Sequence, residues 1–94
     1  MMSDMFKFRL YVAGDAVNSV QARANLHAMC DTYLPGRHEI EVVDVFREQA
    51  RALADGIFMT PTLLKMAPDT GKVVGTLSHT GSVLLALGID AEAA

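Results

Sequence analysis

Disulfide exchange is the first chemistry that the residue types of this chain suggest, and the first that their number excludes. Thr60-Pro61-Thr62 places a proline between two β-forming threonines, ahead of Leu63-Leu64. An X-Pro bond prefers trans by only roughly 0.5–1 kcal/mol, so such a proline can open a strand through a cis turn. Facing a C-x-x-C pair at a helix N-terminus, where the dipole lowers a thiol pKa, it would complete a redox site. The positions that would hold the pair are Ala16-Val17-Asn18-Ser19, and the chain has one cysteine, Cys30, so no disulfide can cycle within it. Cys30 falls toward the C-terminal end of the same predicted helix, beside Met29 and Tyr33. That apolar setting predicts a structural, half-buried thiol, with a redox sensor as the lesser alternative.

The remaining candidate groups are dispersed. His27, His38 and His79 lie in three different elements with no second ligand at i+3 or i+4, so a metal site is not expected. Glu39 and Glu41 alternate along a β-branched run that also holds Asp44, and they read as a solvated strand end and not as a carboxylate pair. Gly14 precedes a helix, but without G-x-G-x-x-G or a P-loop lysine it does not signal phosphate binding. The sequence therefore assigns no catalytic residue, no cofactor and no metal, and predicts a protein that is not an enzyme.

The elements that would position these groups are well marked in the first half. Phe6, Phe8, Leu10 and Val12 alternate with Lys7, Arg9 and Tyr11, which gives a first strand over residues 6–12. Asn18-Ser19-Val20-Gln21 offers a capping box for a helix over residues 19–33, with Ala22, Leu26, Met29 and Tyr33 on one stripe and Pro35-Gly36 as its stop. Ile40, Val42, Val43 and Val45 predict a second strand over residues 38–45, parallel to the first and buried on both faces. A short helix over residues 47–55, with Phe46, Ala50 and Leu53 at helical spacing, should stop at Gly56.

Beyond Pro61 the signals divide. Residues 62–66 and 72–77 flank Ala67-Pro68-Asp69-Thr70-Gly71, whose turn chemistry predicts an antiparallel hairpin. Ser78 or Thr80 can cap a last helix through Val83, Leu84 and Leu87 that closes at Gly88. The order is βαβαββα, an α/β arrangement. Yet Leu63-Leu64-Lys65-Met66-Ala67 are strong helix formers placed where a strand is needed, and residues 82–89 hold Val, Leu and Ile that a strand would accept. Such conflict narrows the energy gap to other packings.

The bulk numbers bound the function. The 94 residues suffice for one domain, with an ordered core over about 6–90 and a frayed end at residues 91–94. A net charge of −3 with eight scattered Lys and Arg argues against nucleic acid and acidic membranes. The longest apolar run, residues 83–87, is far below the ~20 residues that span a bilayer, and residues 1–5 carry no basic leader, so a cytoplasmic location is expected.

Leu10-Tyr11-Val12-Ala13-Gly14, Asn18-Ser19, Val43-Asp44-Val45, Thr60-Pro61-Thr62-Leu63, Gly75 and Leu77-Ser78 together resemble the signature blocks of the KaiB family, in order and at compatible spacing from residue 6 to about 90. The resemblance implies a thioredoxin-like first half and a second half that switches between a resting KaiB-type fold and a thioredoxin-like form. It implies binding to a KaiC-like ATPase, with a histidine kinase as a further candidate partner and self-association as a dimer or tetramer. The contact surface it suggests is the edge of the first strand, the loop after Gly14 and the switching half. Lys7, Arg9, Tyr11, Lys65, Gly75 and Thr76 are the candidate contacts, on the expectation that they project from the strands, and Pro61, Pro68 and Gly75 are the candidate switch residues. Thr76 stands where clock KaiB proteins usually carry an acidic residue. A redox or stress-response protein using Cys30 and a KaiB-like interaction module outside a clock remain the alternatives.

Overall fold

A computed structural model describes residues 5–90; the expected frayed end at 91–94 lies outside the described residues. The alternation of the first strand is realised as β1 (Phe6–Val12), with Phe6, Phe8, Leu10 and Val12 buried on one face. α1 (Val17–Tyr33) follows, and Ala22, Leu26 and Met29 form its buried stripe together with Ser19 and Cys30. Its N-terminus differs from the expected capping box. Ala16 is the cap residue and makes no side-chain bond, while Asn18 is already helical. The side chain that stabilises this corner is Ser19, whose Oγ accepts from the Ala13 amide at 3.0 Å.

β2 (His38–Asp44) pairs in parallel with β1 from Phe6↔His38 to Val12↔Asp44. It is an edge strand, contrary to the expectation of burial on both faces: the sheet order is β2-β1-β3-β4, and Glu39 and Glu41 are exposed. β1 is in turn no edge, because it pairs with β2 on one side and with β3 on the other. α2 (Gln49–Ala54) is shorter than predicted. The amides of Arg47 and Glu48 bond back to the Asp44 carbonyl and use those residues in a turn. Ala52 is therefore the residue that α2 buries, and Phe46 and Leu53 are exposed.

The hairpin is formed by β3 (Thr62–Ala67) and β4 (Gly71–Val74), the second strand ending three residues earlier than predicted. Gly75 at φ +119° and Leu77 at φ +64° turn the chain away from the sheet there. Leu77 is a bulky residue in a region L side chains rarely adopt, and its burial holds it there. α3 (Thr80–Leu87) follows with His79 as cap residue and no side-chain cap, so neither Ser78 nor Thr80 caps it; Gly88 closes it in the left-handed conformation. The Thr60-Pro61 and Ala67-Pro68 bonds are both cis.

The two faces of the sheet are covered unequally. α1 and α3 pack on one face over a core that includes Leu10, Leu26, Leu63, Val83 and Leu87. On the other face the buried cluster is Tyr11, Val43, Ala52 and Ile57, which α2 and the chain after it cover.

Candidate functional site

Parallel β1 and β2 end where antiparallel β3 begins and β4 finishes, so four loops converge at one end of the sheet. Asp44 organises two of them: its Oδ1 accepts from the amides of Gly14 at 3.2 Å and Phe46 at 3.0 Å. Gly14 has φ +52°, and a Cβ on it would meet the Phe46 ring at 3.6 Å. The Gly75 amide donates to the Pro61 carbonyl at 3.0 Å, and Asn25 on α1 donates to the Thr76 carbonyl at 2.8 Å. The Thr62 hydroxyl donates to the Met59 carbonyl at 2.6 Å.

What this end presents to solvent is apolar. Phe46, Phe58 and Met59 are 69%, 86% and 63% exposed, and they border a depression of about 280 Å³ whose floor is Ala13, Ala52 and Ile57. Isolated exposed apolar residues are ordinary, but three large ones around one concavity make a candidate contact surface. The place where a redox pair would lie, residues 16–19, carries no thiol. Cys30 is fully buried, a deeper position than the half-buried one expected, and burial, aided by the charge of Asp31, pushes its thiol up to about 12. A thiol held so far from ionisation is a poor nucleophile. Among the described residues no group of three His, Cys, Asp or Glu converges to hold a metal.

Beneath α2 lies a second polar assembly. Arg9 Nε meets Glu41 Oε1 at 2.9 Å and Arg9 Nη1 meets Asp55 Oδ2 at 2.9 Å. Arg51 reaches Glu41 at 2.8 Å and Glu48 at 3.2 Å. The Tyr11 hydroxyl donates to Asp55 and lies 3.3 Å from the Arg51 carbonyl. Hydrogen bonds from Tyr11 and then Arg9 hold the Asp55 carboxyl below its usual range, and those from Arg9 and then Arg51 do the same for Glu41. Burial first, then the Asp55 bond, raises the Tyr11 phenol. Glu41 is thus a partner in an ion-pair network and not a merely solvated carboxylate. The network ties α2 to β1 and β2.

The six residues singled out from sequence do not share one surface. Gly75 and Thr76 lie at the apolar sheet end. Arg9 and Tyr11 lie in the network, and Tyr11 is fully buried, because α2 packs over it. Lys7 is exposed at the opposite end of the same face. Lys65 was expected to project into solvent and is 4% exposed. It points to the α3 side, where its Nζ donates to the Leu87 carbonyl, pairs with Asp69 Oδ1 at 2.6 Å and sits 5.6 Å from the Phe6 ring centroid. A cation on the last carbonyl of a helix suits the negative end of the dipole, so Lys65 ties α3 to the sheet. Phe58 and Met59 were not singled out. Their signal was the bulky apolar run Ile57-Phe58-Met59 between a helix-stopping Gly56 and Pro61, a loop that buries only Ile57.

Residues 9–89 match the protein family described as the KaiB domain. The chain is 39% identical over 85 residues to the circadian clock protein KaiB3 of Synechocystis sp., covering 89% of this chain and 83% of that one. It is 34% identical over 90 residues to the circadian clock oscillator protein KaiB of Picosynechococcus sp., covering 95% and 86%. Among solved structures it is similar to the germline-specific thioredoxin Deadhead of Drosophila melanogaster, with TM-score 0.71 at 11% identity over 90% of this chain and 82% of that one. It is also similar to the N-terminal domain of Synechococcus elongatus SasA, with TM-score 0.64 at 18% identity over 94% and 88%. These likenesses show that the fold is thioredoxin-like.

Proposed function

Since the chain belongs to the KaiB family, we propose that it is a nonenzymatic regulator that binds a KaiC-like ATPase in the cytoplasm and modulates its phosphorylation or signalling cycle. The observation that carries this reading is the sheet end: the place of a thiol active site holds no thiol and instead exposes Phe46, Phe58 and Met59. Gly75 and Thr76 belong to the same contact surface. Arg9 and Tyr11 act one step back, by fixing α2 beside it, and Lys65 acts by holding α3. Among the described residues no helix is long and apolar enough to cross a membrane.

The second half of the domain changes arrangement between the free and bound protein in this reading, with Pro61 and Pro68 bounding the strand that moves and Gly75 as its hinge. Gly75 at φ +119° supports that role, because this conformation is open to glycine and disfavoured for other residues. A protein whose binding-competent form is a minority binds with an affinity reduced by that fraction. Self-association as a dimer or tetramer would store the other form, and a histidine kinase is the further candidate partner. The test is a pull-down with a KaiC-like ATPase, with and without ATP, using wild type, Phe58→Ser and Gly75→Ala. Binding by wild type that Phe58→Ser loses is the expected result. Absence of binding under every condition would defeat the proposal.

A further inference from the structure

α2 covers only one end of its sheet face. It lies over Tyr11 and Val43; Arg51 and Asp55 reach Glu41 and Arg9 in the next row, where Leu64 is half-buried against the same cluster, and the surface around Lys7, Met66 and Lys72 is left without a helix. The register places Glu41, Arg9, Leu64 and Lys72 in one row across the four strands, with Glu39 and Lys7 beyond it. The pairing of β1 with β3 shifts register between Lys7 and Phe8, which leaves Met66 without an opposite residue. Met66 is 42% exposed and forms a ridge between two depressions, one of about 240 Å³ beside Lys7, Arg9 and Glu39, the other of about 350 Å³ beside Leu64, Thr70 and Lys72.

The charge left unengaged over this area is two lysines, Lys7 and Lys72, against one carboxylate, Glu39 on the edge strand across from Lys7. Glu41 is already engaged by Arg9 and Arg51, whereas Lys7 and Lys72 are exposed and make no ion pair among the described residues. Lys7 is on β1 and Lys72 on β4, two strand spacings across and two residues along, or roughly 12 Å. That span matches the ~10–12 Å diameter of an α-helix with its side chains. Leu64 and Met66 on β3 lie between the two lysines. A sheet face buries itself most readily against helices, and β3 is an interior strand that cannot accept an added strand.

We propose that this bare half of the sheet face docks an acidic amphipathic helix of a partner protein, its apolar stripe on Leu64 and Met66 and its carboxylates facing Lys7 and Lys72. The occupied site would complete the missing part of the helical layer. The proposal does not depend on the ATPase reading, whose contact surface is the far end of the sheet.

Titration of the isotope-labelled full chain by NMR with a synthetic peptide of about 16 residues, Leu at helical i, i+3, i+4, i+7 spacing and Glu on both flanks, tests it. A peptide with Lys in place of Glu is the control. Chemical-shift changes should centre on Lys7, Leu64, Met66 and Lys72, weaken with added salt, and be lost with the Lys-flanked peptide. Met66→Glu should weaken binding by about tenfold or more. Lys7→Glu with Lys72→Glu should reverse the preference between the two peptides while the remaining spectrum stays native. Equal binding of both peptides, shifts centred on Phe58 and Met59, occupation of the face by a second copy of this chain, or a preference for single-stranded nucleic acid would each overturn it. Because no ATPase is present, failure here leaves the pull-down result untouched, and the reverse.

Discussion

The two faces of the sheet are built on different terms. On one, α1 and α3 bury a continuous set of side chains including Leu10, Leu26, Leu63 and Leu87, all fully buried. On the other, α2 covers Tyr11 and Val43, and an ion network of Arg9, Glu41, Arg51 and Asp55 fills the role that apolar contact fills opposite. On this difference the first face should carry most of the stability, while the second leaves Lys7, Phe58 and Met66 exposed. If so, equivalent truncations should differ between faces. Leu87→Ala should destabilise by about 3–4 kcal/mol and Ile57→Ala by about 2 kcal/mol, because the thin side relaxes toward solvent more easily. Urea unfolding of both variants measures this, and equal losses would erase the distinction.

Next in size is the tie between α3 and the sheet. Lys65→Met keeps most of the apolar stem but leaves the Leu87 carbonyl, at a buried helix end, without its donor, a loss of about 2 kcal/mol. The hydrogen bond from Lys65, and then its charge, also hold the Asp69 carboxyl below its usual range, so that carboxyl should titrate nearer its ordinary value in the variant, as NMR can follow. An unchanged midpoint in urea would show that α3 is held by its apolar side alone.

On the thin face the corresponding change is Arg9→Met, with an expected loss of about 1 kcal/mol after allowance for solvent screening of a half-exposed network. Its signature is in pH. Glu41 and Asp55 have folded pKa values below their ordinary ones of 4.5 and 3.8, so they contribute stability above that range, and it is lost as pH falls through it and below. Removing Arg9 takes away the largest cause for Glu41 and the second for Asp55. The acid limb of the melting temperature, followed from about pH 7 to about pH 3, should therefore flatten in the variant. An acid limb as steep as wild type would place the network outside the stability of α2.

The thick face was largely legible in the sequence and the thin one was not. Period-two alternation in residues 6–12 and the stripe of Ala22, Leu26 and Met29 report burial directly, because each repeats on its element's own period. Gly56 and Gly88 marked helix ends through their left-handed conformation. Nothing local, however, distinguishes Lys65 from Lys7: both are lysines in strands, and only the return of α3 22 residues later buries one of them. Likewise, the β-branched run around Val42 fits a central strand as well as an edge one, and strand order depends on where β3 pairs. Short α2 was misread because Asp44 draws the next residues into a turn, through its carbonyl and its side chain. The first two failures concern contacts distant in sequence, and the third a local turn that competes with the helix.

The smallest stability effect, and the sharpest separation of stability from binding, is expected at Phe58. Its ring is 86% exposed, so Phe58→Ser removes little buried area and should leave unfolding within about 0.5 kcal/mol of wild type. If the sheet end is the partner surface, the same substitution should abolish capture of a KaiC-like ATPase, since exposed aromatic residues that become buried on association dominate interface energetics. Met66→Glu on the bare half of the face should be equally silent in unfolding, yet should leave that capture intact. Two near-neutral substitutions on one face, separable by which partner each disables, would establish that the thin side carries two sites. Loss of ATPase capture in both would merge them into a single continuous surface.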